Sequence, residues 1–138
     1  LGAEAIITTA SEANKDIILG IGCRRAVKKK EVKKAILFAL AKAKCSLNKV
    51  KCAATIDLKQ NEPGLREACL ELEIPLRIIS TDLIKNFNGV YQRSAWVKEK
   101  IGVEGVSEPC ALLAARRPKL ILPKQKVGRV TVAIAKED

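Results

Sequence analysis

Apolar residues recur along this chain in two rhythms, and each rhythm predicts an element. Asp16 is followed by Ile-Ile-Leu-Gly-Ile-Gly, a short buried strand running into a glycine turn. Val32, Ala35, Ile36, Ala39, Leu40 and Ala43 then fall at helical spacing, while Lys33, Lys34, Lys42 and Lys44 lie off that stripe. Lys51 to Leu58 reads as a second strand, apolar from Cys52 to Ile56. Asn61 can cap a second helix with Pro63 in its first turn and Leu65, Ala68, Cys69 and Leu72 as its buried stripe. Pro75 to Ile79 is a third strand, and Ser80 or Thr81 caps a short helix through Phe87. Asn88-Gly89 marks a turn, Ser94 caps a helix that Gly102 ends, and Ser107 with Pro109 opens another that Pro118 closes. Lys119 to Lys124 and Arg129 to Ala135 pair as a hairpin about Val127-Gly128. Val130, Val132 and Ile134 alternate with Thr131, Ala133 and Ala135, as in a half-buried strand.

The order β-α-β-α-β-α-α-α-β-β predicts an α/β fold. It is a three-layer α/β/α domain with a mixed, mainly parallel sheet and a C-terminal antiparallel hairpin. A length of 138 residues suits one such domain, read as 16–138, with 1–15 as a leader from an upstream region. Met is absent even from position 1, so the chain is read as either processed or cut from a longer polypeptide, with the second favoured. The longest apolar run, Ala35 to Ala41, is far short of the roughly 20 residues of a membrane span, and no signal-peptide pattern precedes it. The expected address is the cytoplasm.

Charge sharpens this outline. Thirteen Lys or Arg stand against three acids between Lys15 and Lys59, so +10 of the chain's net +11 lies in that third. A block this one-sided points to an anionic partner. The complete lack of His removes Ser-His, Cys-His and His-metal mechanisms. Five cysteines at 23, 45, 52, 69 and 110 form no Cys-x-x-Cys pair, so no metal site is expected. Cys45, Cys52, Cys69 and Cys110 read as reduced core residues.

The candidate chemistry gathers after the first strand. Gly20 and Gly22 let backbone amides approach an anion near a helix start, at the carboxyl-end crevice where α/β sheets bind ligands. Arg25 stands where a dinucleotide fingerprint needs its third glycine, and no P-loop Lys-Ser/Thr pair exists. Lys28, Lys29, Lys30, Lys33 and Lys34 crowd a helix start that disfavours cations by ~0.3–1 kcal/mol each, as a solvated face or as ligand contacts. Arg24 and Arg25 can grip carboxylate or phosphate bidentately. Cys23, beside them, is either a nucleophile with a lowered pKa or a packing or ligand contact. Asp57 either positions a ligand group or a water, or pairs with Arg24 or Arg25. Glu62 and Gly64 open a helix, and Ser94, Ser107 and Glu108 carry capping chemistry.

These residues also carry a resemblance. Gly-Ile-Gly-Cys-Arg-Arg (20–25), Ala-Thr-Ile-Asp-x-Lys-x-x-Glu-x-Gly-Leu (54–65) and Val-Ser-Glu-x-x-Ala (106–111) resemble the C-terminal domain of the cobalamin-biosynthesis protein CbiG, also found alone as CobE. The resemblance implies a domain of a cobalt-precorrin-5A hydrolase, which opens a ring-A lactone with loss of acetaldehyde. It implies Gly20, Gly22, Cys23, Arg24, Arg25, Thr55, Asp57, Lys59, Glu62 and Gly64 as binding positions, with Ser94, Ser107 and Glu108 beside them. The implied partners are a polycarboxylate cobalt tetrapyrrole, the upstream domains of CbiG and other cobalamin-pathway enzymes. No separate cofactor is implied, since cobalt arrives within the substrate. Two departures stand out: Ala26 replaces the glycine usual after the arginine pair, and 86–93 lacks the family's proline-rich pattern.

Within this reading the water-activating candidates are Asp57 and Glu62, with Arg24 or Arg25 stabilising an oxyanion. The alternatives are a non-catalytic corrinoid-carrier or interaction domain, and a small basic RNA-binding domain. Against nucleic acid, only Phe38, Phe87, Tyr91 and Trp96 could stack on bases, and Phe38 sits in the helical core pattern.

Overall fold

The computed structural model describes residues 15–59, 61–86 and 103–138. Strand β1 (Ile17–Cys23) leads to helix α1 (Lys29–Ala43), then β2 (Val50–Ile56), α2 (Pro63–Glu71), β3 (Leu76–Ile79) and α3 (Thr81–Lys85). Helix α4 (Val103–Ala114) and the hairpin β4 (Lys119–Val127) and β5 (Val130–Lys136) follow. Short 3-10 turns at Leu47–Lys49 and Asp57–Lys59 bracket β2. The expected leader, the Asn88-Gly89 turn and the helix begun by Ser94 fall outside the described residues.

The five strands order as β3-β2-β1-β5-β4. β1, β2 and β3 are mutually parallel, β5 is antiparallel to β1, and β4 is antiparallel to β5. Four strands therefore point one way and β5 alone is reversed. β1 is the middle strand, fully buried along its length, which explains its lack of a polar alternation. Ile17, Leu19, Ile21 and Cys23 face the cluster built with α1 and α2; Ile18 faces the cluster built with α4. Each large aliphatic side chain so buried contributes about 1.5–3 kcal/mol. Helices on both faces complete the three-layer α/β/α arrangement that the element order predicts.

Three local expectations need correction. β5 is buried on both faces, not half-buried: Thr131, Ala133 and Ala135 lie beneath α4 as Val130, Val132 and Ile134 lie beneath α1. Phe38 is 47% exposed, lying off the α1 stripe with the Lys42 ammonium 5.7 Å from its ring centre. Finally, α4 begins at Val103, so Ser107 and Pro109 are interior residues and not its opening. Close packing on the sheet overrides the local cap signal and the backbone bond that Pro109 forgoes. A Cβ on Gly20 would stand 1.8 Å from the Ser107 carbonyl oxygen and 2.6 Å from the Ala111 nitrogen. Only glycine lets this helix lie directly on β1.

Among the described residues, no helix is long and apolar enough to cross a membrane.

Candidate functional site

Because β1, β2 and β3 are parallel, the segments that leave them share one end of the sheet: Arg24–Lys28, Asp57–Glu62 and Ser80–Thr81. Helix α4 runs opposite to β1. The Arg116 amide donates to Glu137 near the start of β1, while Ser107, earlier in α4, covers Gly20 midway along it. The first half of α4 thus adjoins the same end. A separate groove of about 420 Å³, lined by Arg66, Cys69, Leu70, Ile74, Pro75 and Leu76, lies at the start of β3 and the opposite end of the sheet.

Arg24, Arg25 and Ala26 are exposed where the chain leaves β1. The Arg24 amide donates to the Arg129 carbonyl at 3.0 Å, which anchors the loop to the hairpin turn. Ala26 adopts φ 62°, the left-handed region that glycine enters freely. Its amide donates to Glu62 Oε1 at 2.7 Å. Gly64 completes this seat, since a Cβ there would stand 2.1 Å from the Val27 carbonyl oxygen. Asn61 precedes the cap position of α2, which Glu62 occupies; Glu62 makes no side-chain cap and sends its carboxylate to the preceding loop.

Cys23 corrects the expectation of a lowered thiol pKa. It is 0% exposed within the α1/α2 cluster, and burial pushes its pKa up to about 11, with Lys59 opposing and Glu62 adding to the rise. Desolvation outweighs the neighbouring cations, so the thiol stays protonated at neutral pH. Cys110 is likewise pushed up by burial, with the Asp57 charge adding to it. All five cysteines are unbridged, and no group of three or more His, Cys, Asp or Glu among the described residues could hold a metal.

The remaining positions tie the strands and the loops at their carboxyl ends together. Thr55 is buried, and its hydroxyl donates to the Ile21 carbonyl at 2.7 Å, joining β2 to β1. Gly22 stands opposite Thr131, whose hydroxyl lies 3.5 Å from the Gly22 carbonyl oxygen. Asp57 accepts from the Thr81 hydroxyl at 2.6 Å and from the Thr81 amide at 3.2 Å, tying the end of β2 to the start of α3. Lys59, half-buried, ends the turn after β2. Glu108 is 2% exposed and accepts from the Lys124 amide at 3.0 Å. Ser107 is fully buried, and its hydroxyl has no hydrogen-bond partner among the described residues. Ser94 lies outside those residues.

The lysine block is partly neutralised. Lys29 and Lys33 both pair with Glu71 on α2, and Lys51 pairs with Glu137 at 2.6 Å. Glu31, in the first turn of α1, accepts from the Lys28 amide and pairs with Arg129. Sequence reasoning missed Thr81, Arg129 and Thr131, whose roles depend on strand neighbours far away in sequence. The run of small residues in β5 was the available signal that something packs close above it.

The profile of the family described as Cobalamin synthesis G C-terminus matches residues 17–135. Over 121 residues the chain is 33% identical to a cobalt-precorrin-5A hydrolase of Priestia megaterium, covering 88% of this chain and 32% of that protein. It is 34% identical over 135 residues to a probable cobalt-precorrin-5A hydrolase of Methanocaldococcus jannaschii, covering 88% of this chain and 41% of that protein. The chain therefore spans well under half the length of these two relatives. A solved structure of CobE, a protein from the cobalamin biosynthetic pathway, superposes with a TM-score of 0.75 at 27% identity, covering 87% of this chain and 89% of that one.

Proposed function

This chain belongs to the Cobalamin synthesis G C-terminus family, and on that footing we propose that the crevice at the carboxyl ends of β1 and β2 binds the carboxylates of a cobalt-precorrin tetrapyrrole. The domain contributes this binding to the lactone-opening hydrolysis of cobalt-precorrin-5A. The observation that carries the reading is the placement of Arg24 and Arg25. Both are exposed on a loop fixed at two points, by the Arg129 carbonyl and by the Glu62 carboxylate. A loop backbone held in place lowers the ordering entropy that two guanidinium forks lose when they grip carboxylates.

The side chains that sequence offered for chemistry favour binding over a nucleophilic or base role. The Cys23 thiol is buried and protonated, and the Asp57 and Glu62 carboxylates already accept hydrogen bonds that shape the loops. Within the reaction, Arg24 and Arg25 orient the substrate's carboxylates and stabilise negative charge developing on an opening lactone. The cobalt is part of the substrate, and the upstream domains of the longer relatives are the expected partners in the reaction.

The test is a spectrophotometric titration of the chain with cobyrinic acid and with its heptamethyl ester, which keeps the ring and cobalt but lacks free carboxylates. Cobyrinic acid binds and the ester does not, and replacing Arg24 and Arg25 by Ala weakens binding roughly tenfold or more with the fold intact. Equal binding of acid and ester, or no binding of the acid, sinks the proposal.

A further inference from the structure

Glu62 is a carboxylate on the loops at the carboxyl ends of the strands, where a group that takes a proton from water is often found. Its geometry assigns it other work. Oε1 sits 2.7 Å from the Ala26 amide, thirty-six residues earlier in the chain. Ala26 is the left-handed residue of the loop, at φ 62°, and carries a Cβ that disfavours this conformation. The Glu62 acceptor therefore holds a backbone shape that the sequence at position 26 does not favour by itself. Two residues on, Gly64 lies against the Val27 carbonyl and brings the start of α2 onto the same loop.

We infer that Glu62 is a positioning residue that sets Arg24 and Arg25 for the ligand by holding Ala26 in its left-handed turn, and that it is not the water-activating base. The inference rests on the carboxylate-binding reading of the crevice. It requires an acceptor oxygen at the end of a Glu-length side chain and requires no negative charge. Gln supplies the oxygen at the same reach; Asp keeps the charge and falls one methylene short; Ala supplies neither. A base or a direct charge contact with the ligand ranks these replacements differently, because Gln then fails.

The experiment compares the native chain with Glu62→Gln, Glu62→Asp and Glu62→Ala. Site-resolved amide exchange is read at Ala26, with Ile21 in β1 as an internal reference for the fold, alongside affinity for cobyrinic acid. In Glu62→Gln, Ala26 stays protected and affinity stays within roughly threefold of native; in Glu62→Asp and Glu62→Ala, protection at Ala26 and affinity each fall roughly tenfold while Ile21 is unchanged. Rescue by Gln, and not by Asp, separates an acceptor from a charge. The inference is overturned if Glu62→Gln loses affinity as fully as Glu62→Ala while Ala26 stays protected, or if Ala26 exchanges as fast in the native chain as in Glu62→Ala. Failure of the native chain to bind cobyrinic acid removes the carboxylate site, and the exchange ranking then still decides the tie between Glu62 and Ala26. Should Glu62→Ala not fold, Glu62→Asp carries the comparison.

Discussion

Glu31 and Arg129, ninety-eight residues apart, form a two-point pair: Nε donates to Oε1 at 3.1 Å and Nη2 to Oε2 at 2.5 Å. The pair fastens the first turn of α1 to the hairpin turn whose carbonyl receives the Arg24 amide. It thus spans the back of the loop that presents Arg24 and Arg25. Its hydrogen bonds from Arg129, and then from the Lys28 amide, hold the Glu31 carboxyl at about 2, below the ordinary 4.5. A carboxyl lowered on folding adds stability that is fully present above its ordinary pKa and is lost as pH falls towards the folded value. The Glu71 carboxyl, also held at about 2 by Lys29 and Lys33, acts in the same direction. Acid unfolding between pH 4.5 and 2 is expected to become less steep in Glu31→Gln, and the difference to shrink in 1 M salt. An unchanged pH profile means the pair carries no stability.

At Gly20 the backbone of α4 lies close against β1. Gly20→Ala drives a Cβ into the Ser107 carbonyl, which belongs to helix backbone and cannot turn aside. The expected destabilisation is at or above the upper end of the about 1–3 kcal/mol typical of overpacking. Denaturant midpoints measure it. A loss below about 0.5 kcal/mol, within the range of ordinary surface changes, would show that α4 does not rest on β1 at this point.

Cys23 predicts slow thiol chemistry. With its pKa pushed up to about 11, alkylation at pH 7–8 is expected to be slower at Cys23 than at the partly exposed Cys45. Mass-resolved labelling over time gives the order. Fast reaction at Cys23 would return the residue to the list of nucleophiles.

Ala26→Gly relieves a left-handed residue that now carries a Cβ. The penalty removed is about 1–2 kcal/mol, and the added freedom of the unfolded chain takes back about 0.5–1 kcal/mol. The net gain lies between about 0 and 1.5 kcal/mol, centred on about 0.75 kcal/mol, which corresponds to a Tm rise of roughly 2–4 °C in thermal melts. A lower Tm contradicts the turn.

What could be read from the chain, and what could not, follows the range of the forces. The α1 stripe of Val32, Ala35, Ile36, Ala39 and Leu40 is set by neighbours three and four residues apart, and it is buried as read. The clustered cations were legible because composition is local, but Gly20 and Gly22 lie within β1 and not in a loop, because pairing with β5 carries the strand through them. The central place of β5 was not, since Thr131 and Ala133 look like outward positions until α4 is known to cover them. The start of α4 was misplaced for the same reason: Ser107 and Pro109 imitate a cap, while Gly20, some ninety residues earlier, determines how the helix lies. The loop's fixation by Glu62 required tertiary geometry that no spacing rule encodes.

The pairing of β1 with β5 has a consequence for synthesis. Every residue of β1, from Ile17 opposite Lys136 to Cys23 opposite Val130, takes a partner from β5, which is made more than a hundred residues after it. Until Val130–Lys136 emerges, the middle of the sheet is a bare edge, its row of backbone donors and acceptors open to solvent and to other nascent chains. The Arg24 loop also waits, because the Arg129 carbonyl that anchors it is among the late arrivals. The loop that presents Arg24 and Arg25 is therefore anchored only once β5 has been made, and a nascent chain stalled before Val130 should be protease-sensitive along β1.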